Sequence, residues 1–288
     1  MRNTKLVFLK LGGSLITDKT IPMTPRPDVI QRLADEIASA IRTNPDLHLL
    51  IGHGSGSFGH AVANHYQTQS GGIDKNYWQG FAEVWGAARA LNQIVINALT
   101  QTGVPVMAFP PSAGIITHNQ KIDSWDIGPI KLALSHGLIP VVQGDVIFDT
   151  HLGGTILSTE AVFQHLARLL NPTQILIAGL EAGVYQDYPS RTHLSHPYPD
   201  GHSPDEIVPC ITPQNLSQVL PGLTRSQSVD VTGGMLAKVE LMIDLIKENP
   251  NLTVHIFSGV TPMNLFRALT GEALGTLISS SERASQGD

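Results

Sequence analysis

Three lysines of this chain stand at glycine turns, and residues of these types at this spacing suit the handling of phosphate groups. Lys10 is followed by Gly12, Gly13 and Ser14, Lys19 closes the same loop, and Lys238 follows Gly234 by four residues. A further stretch, residues 52–60 (GHGSGSFGH), sets four glycines and two serines between an apolar run and a helical pattern, and ends in His60. Glycine lets the backbone approach a ligand closely. The first turn of a helix offers unpaired N–H groups at the positive end of its dipole, so the natural guest of Gly54, Ser55, Gly59 and His60 is an anion. Lysines are compact charges on flexible stems and can bracket a polyphosphate from separate loops. Asp145, directly after Gly144 at the end of another apolar run, is placed to orient an ammonium group among them.

Other chemistries fail on context. Gly54, Gly56 and Gly59 satisfy G-x-G-x-x-G, yet dinucleotide binding also needs an acidic residue about 20 positions on, at the end of a second strand. Asp74, in SGGIDK, has no strand around it. Residues 13–20 miss the phosphate-loop pattern because Asp18 stands where its second glycine is required. His193, His196 and His202 lie in the polar, proline-rich stretch 187–229 at spacings that fit no single helical face, which favours a solvated loop over a metal site.

The 288 residues are 42% hydrophobic and 15% charged, enough chain for one large α/β domain or two lobes sharing a sheet. A net charge of −6 and a pI near 6.0 argue against nucleic acid or an anionic membrane as partner, so phosphates must be met by local cations. Cys210 is the single cysteine, which excludes an intrachain disulfide and a cysteine-based zinc site. No apolar run approaches the ~20 residues of a membrane span, and residues 1–10 lack the apolar centre of a signal peptide, so a cytoplasmic, soluble protein is expected.

The elements that must position these groups alternate. Residues 6–11 (LVFLKL) form a nearly continuous apolar run closed by glycine, the pattern of a buried parallel strand with Lys10 at its carboxyl end. Residues 27–41 carry Val29, Ile30, Leu33, Ile37 and Ile41 at helical spacing, and 47–51 form the strand that enters the glycine cradle. Further strands are expected at 104–109, 138–143, 175–177, 254–257 and 276–278. Helices are expected at 78–100 and 127–135, from a cap at Ser158 or Thr159 to Leu170, and from the Gly234 turn to Ile246. The excursion 187–229 should hold a short hairpin or helix. Alternation of this kind predicts a parallel sheet with helices on both faces. Phe81 and Trp85, on the helix after the cradle, are candidate walls of an apolar pocket.

Taken together these motifs resemble the amino-acid kinase family, and within it the isopentenyl phosphate kinases. The likeness runs through KLGGSLITDK at 10–19, GHGSGSFGH at 52–60, GDV at 144–146, GVY at 183–185, DVTGGMLAKV at 230–239 and GEALGTLI at 271–278, with His60 the most discriminating mark. It implies an α/β fold, an open αβα sandwich with a mainly parallel central sheet. Residues 1–170 would form an amino-terminal lobe for the phosphoryl acceptor and 171–288 a carboxy-terminal lobe for ATP, on one continuous sheet, commonly in a homodimer. Lys10, Lys19 and Lys238 match the family's phosphate-binding lysines, His60 its ligand for the acceptor phosphate, and Asp145 a carboxylate that organises the lysines. Gly13, Ser14, Gly54, Ser55, Gly59, Phe81 and Trp85 fall around the acceptor; Gly12, Gly179, Gly183, Tyr185 and Gly234 fall around the nucleotide. The implied reaction converts isopentenyl phosphate and MgATP to isopentenyl diphosphate and ADP, with ATP and Mg²⁺ as cofactors and no metal site of the protein's own.

Two stretches depart from the family. Where its members read SGDD, this chain has Ser158-Thr159-Glu160-Ala161, with Glu160 in the place of the aspartate, and Leu180-Glu181-Ala182-Gly183 replaces the usual DVDG of the nucleotide loop. Two alternatives therefore stand beside the first reading: a kinase for another small phosphate or phosphonate such as fosfomycin, and a non-catalytic ligand-sensing module. A sensor of one anion would not need lysines at three separate glycine turns.

Overall fold

A computed structural model describes residues 5–186, 207–224 and 234–281; His193, His196 and His202 lie outside them. In chain order the elements are β1 (Leu6–Leu11), the short α1 (Gly13–Ile16), α2 (Pro27–Thr43), β2 (His48–His53), α3 (Gly56–Tyr66), α4 (Lys75–Gln101), β3 (Val106–Ala108), β4 (Ile115–His118) and β5 (Lys121–Trp125). Next come α5 (Gly128–Ser135), β6 (Ile139–Gln143), β7 (Asp145–Asp149), β8 (Gly153–Leu157), α6 (Thr159–Leu170) and β9 (Gln174–Gly179). The chain closes with β10 (Cys210–Ile211), α7 (Leu216–Thr224), α8 (Gly234–Glu248), β11 (Thr253–Ser258), α9 (Asn264–Leu269) and β12 (Thr276–Ile278).

Eight strands form one sheet in the order β10-β12-β11-β9-β1-β2-β6-β3, parallel except where β12 meets β11. Successive residues of a strand face opposite sides. Val7, Leu9 and Leu11 of β1 therefore pack into the core formed with α2, α4 and α9, while Phe8 packs into the core formed with α6 and α8. Burial on both faces is why β1 reads as an unbroken apolar run. The same alternation assigns Lys10 to the face of Phe8, toward α6 and α8. Asp74, the residue that failed the dinucleotide test, caps α4 by accepting the Tyr77 N–H at 2.8 Å.

A second sheet, β5-β4-β7-β8, was not anticipated from the sequence. Asp145 does not end a strand. After Gly144 the chain runs straight into β7, of which Asp145 is the first residue. Helix α9 was also missed, being only six residues long. In the region of the expected excursion the described residues contain β10 and α7.

One carboxylate ties the two hairpins of the small sheet together. Asp149, 3% exposed, accepts from the Thr117 hydroxyl at 2.8 Å and from the N–H groups of Asn119, Gln120, His151 and Leu152 at 2.8–3.2 Å. Burial works against its ionisation, but these donors outweigh burial and hold the carboxyl well below its ordinary value. Asn119 and Gln120 both have left-handed backbones, φ 53° and 67°, so the turn depends on the anchor. A carboxyl depressed in this way stabilises the fold fully above its unfolded pKa, and the contribution is lost as pH falls through the folded one. Asp149→Asn leaves donors facing an amide, and should destabilise the protein by roughly 2–4 kcal/mol at pH 7. Urea unfolding of both proteins at pH 7 and pH 3 checks this, the gap being expected to narrow at the lower pH.

Candidate active site

The register of the large sheet sets Lys10 between Gly52 of β2 and Ile177 of β9. A Cβ on Gly52 would lie 2.5 Å from the Phe163 ring and 2.7 Å from the Thr159 methyl. The bare Cα of Gly52 is what lets the first turn of α6 descend onto the strand ends. Ser158 caps that helix, its hydroxyl accepting the Ala161 N–H at 3.1 Å, and Glu160 sits in the first turn. There Glu160 forms a buried ion pair with the Lys10 ammonium, the two residues being 5% and 6% exposed. Burial raises the Glu160 carboxyl, yet the charges of Lys10 and Lys238 outweigh it and hold the group below its ordinary value. One carboxylate thus faces two ammonium groups from different helices and strands, leaving the group net positive where the parallel strands end.

The two glycine turns form one backbone floor beside this group. A Cβ on Gly13 would lie 2.5 Å from the Gly56 nitrogen. Gly56, at φ +49°, has no room either, since its Cβ would meet the Thr17 hydroxyl at 2.0 Å. That hydroxyl donates to the Gly13 carbonyl at 2.7 Å and accepts the Ser57 N–H at 3.0 Å, joining the turns. Gly12 donates to Ala178 at 2.8 Å and Gly54 to the Leu11 carbonyl at 3.0 Å, so β1, β2 and β9 all feed the same floor. Ser14 and Ser55 are partly exposed at its surface. Gly59 is buried in the first turns of α3, which also carry His60; the side chain of His60 is outside the description.

Asp145 is buried and accepts the N–H groups of Ser112 at 3.2 Å and Val146 at 2.9 Å; burial pushes its pKa up to about 6. The carboxylate paired with Lys10 is Glu160, while Asp145 opens β7 and accepts from Ser112. Lys19 is exposed on the turn after Asp18, outside the buried Lys10–Glu160 pair. Phe81 does lie in an apolar cluster, with Ala63, Tyr77, Val84 and Val146. Its ring neighbours are Trp78 at 5.3 Å and Phe148 at 5.1 Å, and the Gly154 backbone of β8 closes against it. Trp85 is 41% exposed and lies under the Arg89 guanidinium at 5.8 Å. Trp78 and Phe148 also touch each other, at 5.9 Å, and complete an aromatic group with Phe81.

On the other side of β1, Gly179 ends β9 and the loop after it is stiffened from below. Tyr185 is fully buried and its hydroxyl accepts the Ala182 N–H at 3.3 Å, which ties the ring to the loop. The Val184 N–H donates to Thr276 at 2.7 Å, and a Cβ on Gly183 would meet Ile207 at 2.6 Å. Gly234 opens α8 at φ +66°, one turn before Lys238.

A buried lysine–carboxylate group beside a glycine floor, on a parallel sheet, is the setting in which the sequence profile of the Amino acid kinase family matches residues 5–258. The chain belongs to this family. As a member it is a phosphotransferase, with ATP as the phosphoryl donor that kinase activity implies. Isopentenyl phosphate kinase of Methanocaldococcus jannaschii is 33% identical, over 96% of this chain and 100% of that protein. The enzyme of the same name from Methanothermobacter thermautotrophicus is 32% identical, over 95% and 99%. A solved structure described as "X-ray structures of isopentenyl phosphate kinase" superposes with a TM-score of 0.76 at 30% identity, covering 95% of this chain and 100% of that one.

Two substitutions separate the two carboxylates. Glu160→Gln should lower turnover at least ~10²-fold, as when one charge-stabilising group is lost, whereas Asp145→Asn should leave turnover near that of the parent. Asp145 has a folded pKa raised by burial, so its contribution is full below the unfolded value and is lost as pH rises through about 6. The difference in Tm between Asp145→Asn and the parent should therefore move in the variant's favour from pH 4.5 to pH 7.5. Steady-state rates and thermal melts at the two pH values check both statements.

Proposed function

We propose that this kinase transfers the γ-phosphoryl group of ATP to the phosphate of isopentenyl phosphate, giving isopentenyl diphosphate and ADP. The observation that carries the acceptor's identity is the aromatic group of Trp78, Phe81 and Phe148 on α4 and β7, in a chain whose relatives act on that substrate. An isoprenoid tail needs such a surface; a small polar phosphate does not.

Phosphoryl transfer asks for position and charge neutralisation more than for a base, because the acceptor's phosphate oxygen is already a nucleophile. Lys10 and Lys238, oriented by Glu160, draw together two like-charged phosphates. The N–H groups of Gly13, Ser14, Gly54 and Ser55, with Gly59 and His60 at the start of α3, hold the acceptor on the amino-terminal side (residues 1–170). Gly179, Gly183 and Gly234 shape the nucleotide side (171–288), and Gly12 reaches it from β1. Lys19, on its exposed turn, supplies a further charge from above. Mg²⁺ neutralises the nucleotide's phosphates when bound. Among the described residues no cluster of three His, Cys, Asp or Glu side chains is placed to hold a metal ion. The reading includes a homodimer, to which the open edge strand β3 with Met107 48% exposed offers a surface, and a cytoplasmic location.

Acceptor preference tests the reading. Isopentenyl phosphate carries four more carbons than methyl phosphate, worth up to ~3 kcal/mol at ~0.8 per carbon, so kcat/KM should fall by up to about 200-fold from the first to the second. Dimethylallyl phosphate should approach isopentenyl phosphate. Equal efficiency with methyl phosphate, or a preference for fosfomycin, would overturn the isoprenoid acceptor.

A further inference from the structure

His53 ends β2 immediately before the glycine floor and is 1% exposed. By strand alternation it faces the α4 side with Leu49 and Ile51, opposite to Gly52. Its Nε2 lies 3.0 Å from the Asn92 side-chain nitrogen on α4, and its Nδ1 lies 3.2 Å from the Gly54 carbonyl oxygen. Asn92 is itself buried, 6% exposed. An amide NH₂ only donates, and a carbonyl only accepts. The ring must therefore be the neutral tautomer with its proton on Nδ1: Nε2 accepts from Asn92, and Nδ1–H donates to Gly54. Burial holds the ring neutral, bringing its pKa down to about 4, and the charge of Lys10 adds to this against the Gly54 bond.

The peptide that follows is trans, since the described chain has no cis bonds. In a trans unit the carbonyl and the next N–H point opposite ways. With the Gly54 oxygen held down against the buried ring, the Ser55 N–H points away from it, toward the partly exposed surface of the turn. Ser55 is the N-cap residue of α3, so this N–H lies immediately before the first turn of the helix. The main-chain oxygen of His53 meanwhile accepts the Thr159 hydroxyl at 2.7 Å and the Gly144 N–H at 3.3 Å. One residue thus fixes the acceptor-side amide and the residue next to Glu160.

We infer that His53 and Asn92 form a positioning pair for the acceptor's phosphate: Asn92 fixes the His53 tautomer, and the ring fixes the Gly54–Ser55 peptide so that the Ser55 N–H meets the phosphate. This deepens the function proposed above and rests on it for the acceptor. Neither side chain touches the substrate. Their effect falls on the acceptor and spares ATP.

Three variants test the pair: His53→Leu, Asn92→Leu, and His53→Asn, whose amide can still donate where Nδ1 does. Loss of one hydrogen bond to a charged group should raise the KM for isopentenyl phosphate roughly tenfold in the two leucine variants, with the KM for ATP changed less than about twofold. His53→Asn should recover most of the loss. Ring ¹⁵N shifts of histidine-labelled protein should place the His53 proton on Nδ1 in the parent, and Asn92→Leu should abolish that preference. Addition of isopentenyl phosphate should move the Ser55 amide proton downfield in the parent and much less in Asn92→Leu. A proton on Nε2, or acceptor and ATP KM values that rise together, would overturn the inference. If His53→Leu fails to fold, Asn92→Leu and the ring shifts still decide. A parent that neither binds nor phosphorylates isopentenyl phosphate refutes the acceptor assignment, while the ring shifts report on the tautomer regardless.

Discussion

An ammonium group buried at the end of a central strand must have a carboxylate beside it, and the Lys10–Glu160 pair is the constraint that the rest of the site obeys. Removing two charges from water is costly unless each keeps a close partner. To supply one, α6 has to start directly above β1 and β2. That position requires the absent side chain of Gly52, the Ser158 cap and the hydroxyl contact from Thr159 to the β2 end. The family's usual aspartate is replaced by glutamate here, a side chain one methylene longer, and the pair still closes. Because Lys238 also acts on Glu160, the carboxylate gathers charge from both halves of the sheet.

The glycine floor follows from a different constraint, the need to bring two backbone turns into contact. Side chains would separate them, so Gly13 and Gly56 meet directly, and Thr17 bridges what remains. The result is a surface of peptide groups whose directions are set from below, by buried hydrogen bonds, and not by the ligand. A preorganised arrangement of that kind leaves little reorganisation to be done when charge moves in the reaction.

Much of the large sheet was legible in the sequence. β1 and β2 announce themselves as apolar runs closed by glycine, and α2 by its helical spacing, because each is buried in a way that its pattern records. The small sheet was not legible. Its strands are only four or five residues long and share no burial pattern: β4 alternates with Ile116 outward, β5 is largely exposed, and β7 is buried except at Phe148, so neither a common periodicity nor a long apolar run stands out. That gap propagated to the site. Without β7, Phe148 had no place near Phe81, and the contact of Trp78 with both rings was not legible either. Glu160 is marked in the sequence only by its place in the family's pattern, and its partner Lys10 could not be read there, since it lies 150 positions away. A buried His53 likewise gives no local signal; only the α4 residue across from it reveals which nitrogen carries the proton.

The Asp149 anchor has a consequence for motion. Because one carboxylate holds the turn of β4–β5 and the turn of β7–β8 together, neither hairpin can lift while the other stays in place without stranding donors. The small sheet is therefore a single cooperative opening unit, and its backbone amides should exchange with solvent at a common rate that differs from those of the large sheet. Phe148 travels with it. Access to the aromatic surface and the integrity of the buried carboxylate at the next residue are two readings of the same equilibrium.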